Sequence, residues 1–322
     1  MALVQLLSSA SWYLPLVYTV FVLAGALGLY RYTRCQRKSN VPLSVNYHFT
    51  RQCNKTCGFC FHTATASFKR TEDEAKSGLR RLEAAGMKKI NFAGGEPFLY
   101  PRFLGNMIVF CKEQLHLESV SIVTNGSKVR RDFLQRYGQY IDIMAVSCDS
   151  FDEHTNIEIG RGSGNQVDQL FRIAEWCQEF GIKFKLNTVV CNLNYKEDMN
   201  LTVLLVAGEN DFDKTLRNVR KFQITDEQYK EFCRRHQHQP YFVPEPNVLM
   251  AKSYLILDEY MWFLNRDGRE PSKSILEVEV SEALAQVYWD RDSFVQRGGV
   301  YDWSREVTSS RCDMANDERL EW

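Results

Sequence analysis

Cys53-Asn-Lys-Thr-Cys57-Gly-Phe-Cys60 places three thiols in one short stretch. The other seven cysteines, Cys35, Cys111, Cys148, Cys177, Cys191, Cys233 and Cys312, are scattered, several in apolar runs where a thiol behaves as a small hydrophobe. They form no disulfide framework, so the cluster of three indicates metal or redox chemistry in a reducing compartment. Three thiolates hold three corners of a [4Fe–4S] cluster and leave one iron open to a non-protein ligand. The alternative is zinc, with His62 as fourth ligand of a closed structural site. Phe59 directly before the last cysteine, and a strand directly before the motif, favour the cluster.

Outward from this motif the chain alternates strands and helices. LSVNYHF, from Leu43, reads as the first strand. TEDEAKSGLRRLEAAG follows as a helix, with Thr71 as N-cap, Glu74 completing a capping box and Gly86 as the stop. KKINFA, VSIVTNG, DIMAVSCDS and IKFKLNTVV repeat the strand signal, with helical stretches after each of the first four strands. Such a series builds a parallel sheet or barrel whose ligands lie at the carboxyl ends of the strands. The informative residues sit at those ends: Asn46 to Arg51, Gly94 and Gly95, Thr124 and Asn125, and Ser147 to Ser150.

One connection breaks the rhythm. Only residues 191–200 separate the strand ending at Val190 from the strand-like LTVLLVAG, whereas a parallel crossover takes a dozen residues or more. Either the crossover is irregular or a unit is truncated. Beyond Asn210 the chain is expected to be mixed, helical at Asp226–His236 and Asp258–Asn265, with Pro240, Pro244, Pro246 and Pro271 marking the loops of a lid over the strand ends.

Composition bounds the partners. Forty Lys plus Arg balance forty Asp plus Glu over 322 residues, so no global charge suits nucleic acid, and an anionic ligand needs a local set of cations. Residues 12–30 carry no charged side chain, enough at about 1.5 Å per residue to cross about 30 Å of hydrocarbon. Arg31, Arg34, Arg37 and Lys38 follow, which places the folded part in the cytosol. Pro15, Gly25 and Gly28 weaken this helix, and a segment lying in one leaflet is the alternative. The expected organisation is an anchor at 1–40, a parallel α/β domain at 41–210 and an extension at 211–322.

The cysteine motif followed by Gly94-Gly95-Glu96-Pro97 after the second strand resembles the radical S-adenosylmethionine superfamily. The glycines permit close backbone approach and Pro97 fixes the turn. Within it, NYHFTRQCNKTCGFCFHTA, KINFAGGEPFL, SIVTNGS, SCDSFDE, IGRG, KSYLILDEYM, PSKSIL, RGG and the terminal Leu-Glu-Trp are similar to the viperin-type antiviral nucleotide dehydratases. The resemblance implies a partial (βα)6 radical-SAM barrel and the cofactors [4Fe–4S] and S-adenosyl-L-methionine. It also implies hydrogen abstraction at C4′ of CTP by a 5′-deoxyadenosyl radical. Loss of the 3′-hydroxyl then gives 3′-deoxy-3′,4′-didehydro-CTP, a product of antiviral innate defence made at the cytosolic face of the endoplasmic reticulum or on lipid droplets.

Carried onto this chain, Cys53, Cys57 and Cys60 resemble the cluster ligands, and Phe59, Gly94, Gly95, Glu96, Pro97, Ser147 and Arg161 the cofactor contacts. Asn46, Lys185 and Arg269 are similar to nucleotide contacts, Tyr254 to a tyrosine that returns a hydrogen to the product radical, and Trp322 to a tail recruiting the cytosolic iron–sulfur assembly machinery. The short connection falls where the family carries a fifth helix and a sixth strand with two triphosphate-binding cations. Ala93 stands where the family usually has serine. A competing expectation is therefore a membrane-tethered interaction protein with an intact cluster and an incomplete triphosphate site.

Overall fold

Val45 and Tyr47 alternate with Ser44, Asn46 and His48, and this period of two sets an apolar face against a polar one from the first strand onward. The computed structural model describes residues 41–60, 62–64, 67–199, 204–207, 219–239, 242–246, 250, 253–265 and 269–296. β1 (Ser44–His48), β2 (Lys89–Ala93), β3 (Ser119–Thr124), β4 (Ile143–Ser147), β5 (Lys183–Val189) and β6 (Leu204–Ala207) lie side by side in chain order. β7 (Val243–Glu245) adds beyond β6 and β8 (Ile256–Leu257) beyond β1, giving eight strands with every pairing parallel. The expected parallel α/β architecture is present.

The apolar face carries Val45, Tyr47, Ile90, Phe92, Val120, Ile122, Met144, Val146 and Leu186, all buried in one core. α1 (Glu72–Ala84), α2 (Pro101–Glu113), α3 (Arg131–Tyr137) and α5 (Gln166–Glu179) cover it with residues such as Leu79, Leu104, Ile108, Leu134 and Ile173, while α4 (Glu153–Ile159) lies between β4 and α5. Each fully buried aliphatic side chain contributes about 1.5–3 kcal/mol, which is why the helices settle on this face. α1 starts where predicted: Thr71 Oγ1 accepts the Glu74 N–H at 3.3 Å and Glu74 Oε2 accepts the Thr71 N–H at 3.0 Å, a cap worth about 1 kcal/mol.

β6 pairs with β5 from Leu186↔Leu204 to Val189↔Ala207, so a strand follows the suspect connection, and among the described residues no helix lies between β5 and β6. α6 (Asp226–His236) pins the connection instead. Arg235 donates to the carbonyls of Tyr195 and Glu197 at 2.9 and 3.2 Å, and His236 Nε2 accepts the Met199 N–H at 2.9 Å.

With Nε2 accepting, Nδ1 carries the proton and donates to the Phe232 carbonyl at 2.8 Å, so buried His236 is needed neutral. Burial holds its pKa below the usual imidazole range. The stability this gives is fully present above about pH 6.5 and lost as pH falls through the lower folded value. Urea midpoints measured at about pH 7.5 and about pH 5.5 should therefore fall on acidification, and His236→Gln should flatten the difference.

The extension differs from expectation at Asp258–Asn265, which is a bend and not a helix. Asp258 Oδ1 accepts the N–H groups of Tyr260 and Trp262 at 2.9 and 3.0 Å, Met261 takes a φ of 66°, and Leu257 bridges Phe263. A short polar side chain that captures the following amides competes with helix formation. Asp226–His236 is helical as predicted, capped by Thr225 and Gln228.

The chain divides into Met1–Val41 and Pro42–Trp322. The uncharged stretch at 12–30 and Trp322 lie outside the described residues; among those described, no helix is long and apolar enough to cross a membrane.

Candidate active site

The cysteine loop leaves the carboxyl end of β1 and is stitched to two neighbours. On one side the Gly95 N–H donates to Thr50 O at 2.7 Å and the Glu96 N–H to Gln52 O at 2.8 Å. Gly94 has a φ of +135°, and a Cβ on Gly95 would lie 2.0 Å from Gln52 O. Both positions therefore demand glycine to let the turn after β2 lie against this loop. On the other side the Thr56 and Gly58 N–H groups donate to the carbonyls of Gly160 and Ile159 at the end of α4, both at 3.0 Å.

Cys57 is buried, while Cys53 and Cys60 are half-buried. Cys53 Sγ accepts from the Lys55 N–H at 3.4 Å and faces Asn125 Nδ2 at 3.7 Å, the kind of sulfur-directed donors that tune an iron–sulfur centre. Burial pushes the Cys57 thiol up to about 11, Arg161 opposing, and raises Cys53 as well. Thiols in this environment become ligands when a metal takes up the thiolate charge. His62, the candidate fourth donor for zinc, packs edge-on to His48 with ring centroids 4.7 Å apart and faces Glu259 Oε2 at 3.9 Å. Three thiols on a loop with hydrogen bonds to sulfur, and His62 packed against His48, fit three corners of a cluster.

Glu96 is fully buried and works inside the protein. Oε1 accepts from the Phe98 N–H at 2.9 Å and Thr124 Oγ1 at 2.7 Å, and Oε2 from the Asn125 N–H at 2.7 Å. It locks the turn, in which Pro97 opens a 3-10 turn, to the end of β3. Arg161 pairs with Asp149 through Nε–Oδ2 at 2.5 Å and Nη2–Oδ1 at 3.3 Å, and lies 5.6 Å from the centroid of the Phe59 ring. Ser147 ends β4, half-buried, its carbonyl accepting from Gln166 Nε2 at 2.8 Å.

Below these loops runs the polar face of the sheet. Asn91 Nδ2 donates to Asn46 Oδ1 at 2.7 Å and Ser121 Oγ to Asn91 Oδ1 at 3.0 Å, a ladder across three strands. The alternation that points Phe184 and Leu186 into the core sets Lys183, Lys185 and Asn187 on this same face, and Lys89 shares it on β2. Asn46 and Lys185 are thus brought to one face. Arg269 is exposed in the loop after β8, and Lys273 reaches Glu282 at 3.6 Å on the surface. The Tyr254 hydroxyl donates to Glu245 Oε2 at 2.8 Å. That bond spans the two edges of the sheet, because Glu245 ends β7 and Tyr254 precedes β8.

Asp149, Asn91 and Ser121 went unread as site residues. Period-two alternation was the available signal for the last two. Asp149 lies in the Ser147–Ser150 strand end already singled out, but its pairing with Arg161, a helix away, has no local signal.

A match to the Radical SAM superfamily covers residues 47–206. The chain is 49% identical over 300 residues to the S-adenosylmethionine-dependent nucleotide dehydratase RSAD2 of Danio rerio, covering 87% of this chain and 81% of that one. It is 50% identical over 283 residues to the protein of the same name from Siniperca chuatsi, covering 82% and 80%. Among solved structures, Streptococcus suis SuiB bound to S-adenosylmethionine superposes with a TM-score of 0.61 at 17% identity, covering 84% of this chain and 72% of that one, a likeness of fold.

Proposed function

The chain belongs to the radical SAM superfamily and, within it, to the S-adenosylmethionine-dependent nucleotide dehydratases, and from that premise we propose that it dehydrates CTP to 3′-deoxy-3′,4′-didehydro-CTP. Its cofactors are a [4Fe–4S] cluster and S-adenosylmethionine. When bound, they supply the one-electron cleavage that generates a carbon radical able to remove hydrogen from a sugar.

This chain's residues supply the rest. Cys53, Cys57 and Cys60 hold the cluster. The Gly94-Gly95-Glu96-Pro97 turn, with Ser147, Phe59 and Arg161, would hold S-adenosylmethionine beside it. Asn46 contacts the nucleoside from the polar face, where its amide is already aligned by Asn91. A triphosphate needs several cationic partners. Lys185 is the first, and Arg269 approaches from the extension. Tyr254 delivers the final hydrogen equivalent. We read the consecutive order β1 to β6 as the partial (βα)6 barrel. Residues 12–30 attach it to the cytosolic face of the endoplasmic reticulum or to lipid droplets, Trp322 engages iron–sulfur assembly, and the product serves antiviral defence.

The observation that carries this reading is the docking of the Gly94–Pro97 turn onto the cysteine loop, through Gly95 N–H to Thr50 O at 2.7 Å, at the carboxyl end of a sheet with a polar inner face. The test is anaerobic 5′-deoxyadenosine release by the reconstituted protein with dithionite and S-adenosylmethionine. Strong stimulation by CTP supports the reading; cleavage indifferent to every nucleotide refutes it. Lys185→Ala should raise KM for CTP by about 10–100-fold, from the loss of one charge-assisted contact of about 1.5–3 kcal/mol, with KM for S-adenosylmethionine unchanged.

A further inference from the structure

Phe222 closes a short 3-10 turn, Val219–Phe222, far along the chain from the cysteines. Its ring lies against their loop. A Cβ built on Gly58 would fall 1.9 Å from Phe222 Cε2 and 2.5 Å from Cζ. Gly58 is not among the glycines of positive φ, so its backbone admits any residue and the missing side chain serves the approach of this ring. The ring meets Phe59 edge-on, centroids 6.0 Å apart at 88°.

Cys57, Phe59, Ile159, Cys191 and Phe222 are all buried and form an apolar cluster separate from the main core, with Cys60 and Val189 packed at its margin. The end of α4, the end of β5 and the 219–222 turn each contribute to this wall. The turn is tied down by Asn192, whose N–H donates to Phe222 O at 3.3 Å and whose Nδ2 donates to Lys221 O at 3.0 Å.

We propose that Phe222 is a positioning residue for the cofactor site: an apolar cap that excludes water from the Cys57–Cys60 side of the cluster and fixes the ring of Phe59. The inference rests on assigning the three thiols to a [4Fe–4S] cluster. Reduction adds one electron and no proton to a centre that already carries thiolate charge. A dry, apolar wall disfavours the more highly charged state, and water admitted beside it favours that state. Phe222 thus makes the cluster harder to reduce and slower to be attacked by oxygen.

The test compares wild type, Phe222→Ala and Phe222→Leu as reconstituted full-length chains. The readouts are the midpoint potential from anaerobic dithionite titration followed by electron paramagnetic resonance, and the rate of cluster bleaching in air. Phe222→Ala should shift the potential to a less negative value and bleach several-fold faster, and Phe222→Leu should restore both towards wild type. If Phe222→Ala does not fold, Gly58→Ala, which displaces the ring, should move both readouts in the same direction. Wild-type potential and bleaching rate in the variant that folds would overturn the cap. A wild-type chain that takes up no cluster would overturn the underlying assignment instead, and iron and sulfide analysis tells the two apart.

Discussion

Cys57→Ala should lose the cluster and reduce 5′-deoxyadenosine release to background, because two remaining thiols hold two corners of a cube that needs three. Cys57 is the buried member of the set, on the segment whose neighbours Thr56 and Gly58 are bonded to the end of α4. Those bonds are from backbone N–H groups and survive the substitution. The fold should persist with a loss of about 1 kcal/mol, in the ordinary range for a single substitution, so a vanished activity would report chemistry and not unfolding. Cys111→Ala is the control: that thiol is fully buried on α2 within the main core, and its loss should cost stability while leaving iron content intact. Iron and sulfide analysis, the visible absorbance of the cluster and product release are measured together. Cofactor cleavage retained in Cys57→Ala would remove the assignment of all three cysteines.

Sequence reading reached furthest where one element carries its own signal. Thr71 and Glu74 declare a helix start because both partners of the cap lie three residues apart, and the alternation at Ser44–His48 and Lys183–Val189 declares which face of a strand is apolar. The cysteine loop and the glycine turn were legible as motifs, although what makes the glycines necessary, the carbonyls of Thr50 and Gln52, is a contact between separate loops. Pairings across the chain left no local trace. Asn192 and Phe222, or Met199 and His236, meet only because β6 and α6 bring the later segment back over the end of β5. The short 191–200 connection reads as an irregular crossover or a truncated unit for the same reason: the helix that pins it, α6, comes after the strand it feeds. Asp258 misled in the opposite direction, its side chain turning a helix-like run into a bend.

Asp149→Ala is expected to be the most damaging substitution outside the cysteines. Its carboxylate is fully buried, lies in a two-point pair with the nearly buried Arg161 guanidinium, and accepts the Val189 N–H at 2.9 Å through Oδ1. Removing one partner of a buried pair strands the other charge and costs about 3–5 kcal/mol; the orphaned Val189 amide adds about 1–3 kcal/mol. Against a usual total of about 5–15 kcal/mol, that is enough to leave a small domain partly unfolded at 37 °C. The effect should be sharply non-additive, because Asp149→Ala combined with Arg161→Met removes both charges and fills the space with an apolar chain. Urea unfolding should rank wild type first, the double variant second and Asp149→Ala last. Function should follow a different order: Arg161 is the cation beside Cys57 and over the Phe59 ring. The double variant, though the more stable of the two, should therefore remain defective in cofactor cleavage. A double variant that cleaves S-adenosylmethionine at the wild-type rate would reduce Arg161 to a structural counter-ion of Asp149. Single and double variants of equal stability would instead mean that solvent already reaches the pair.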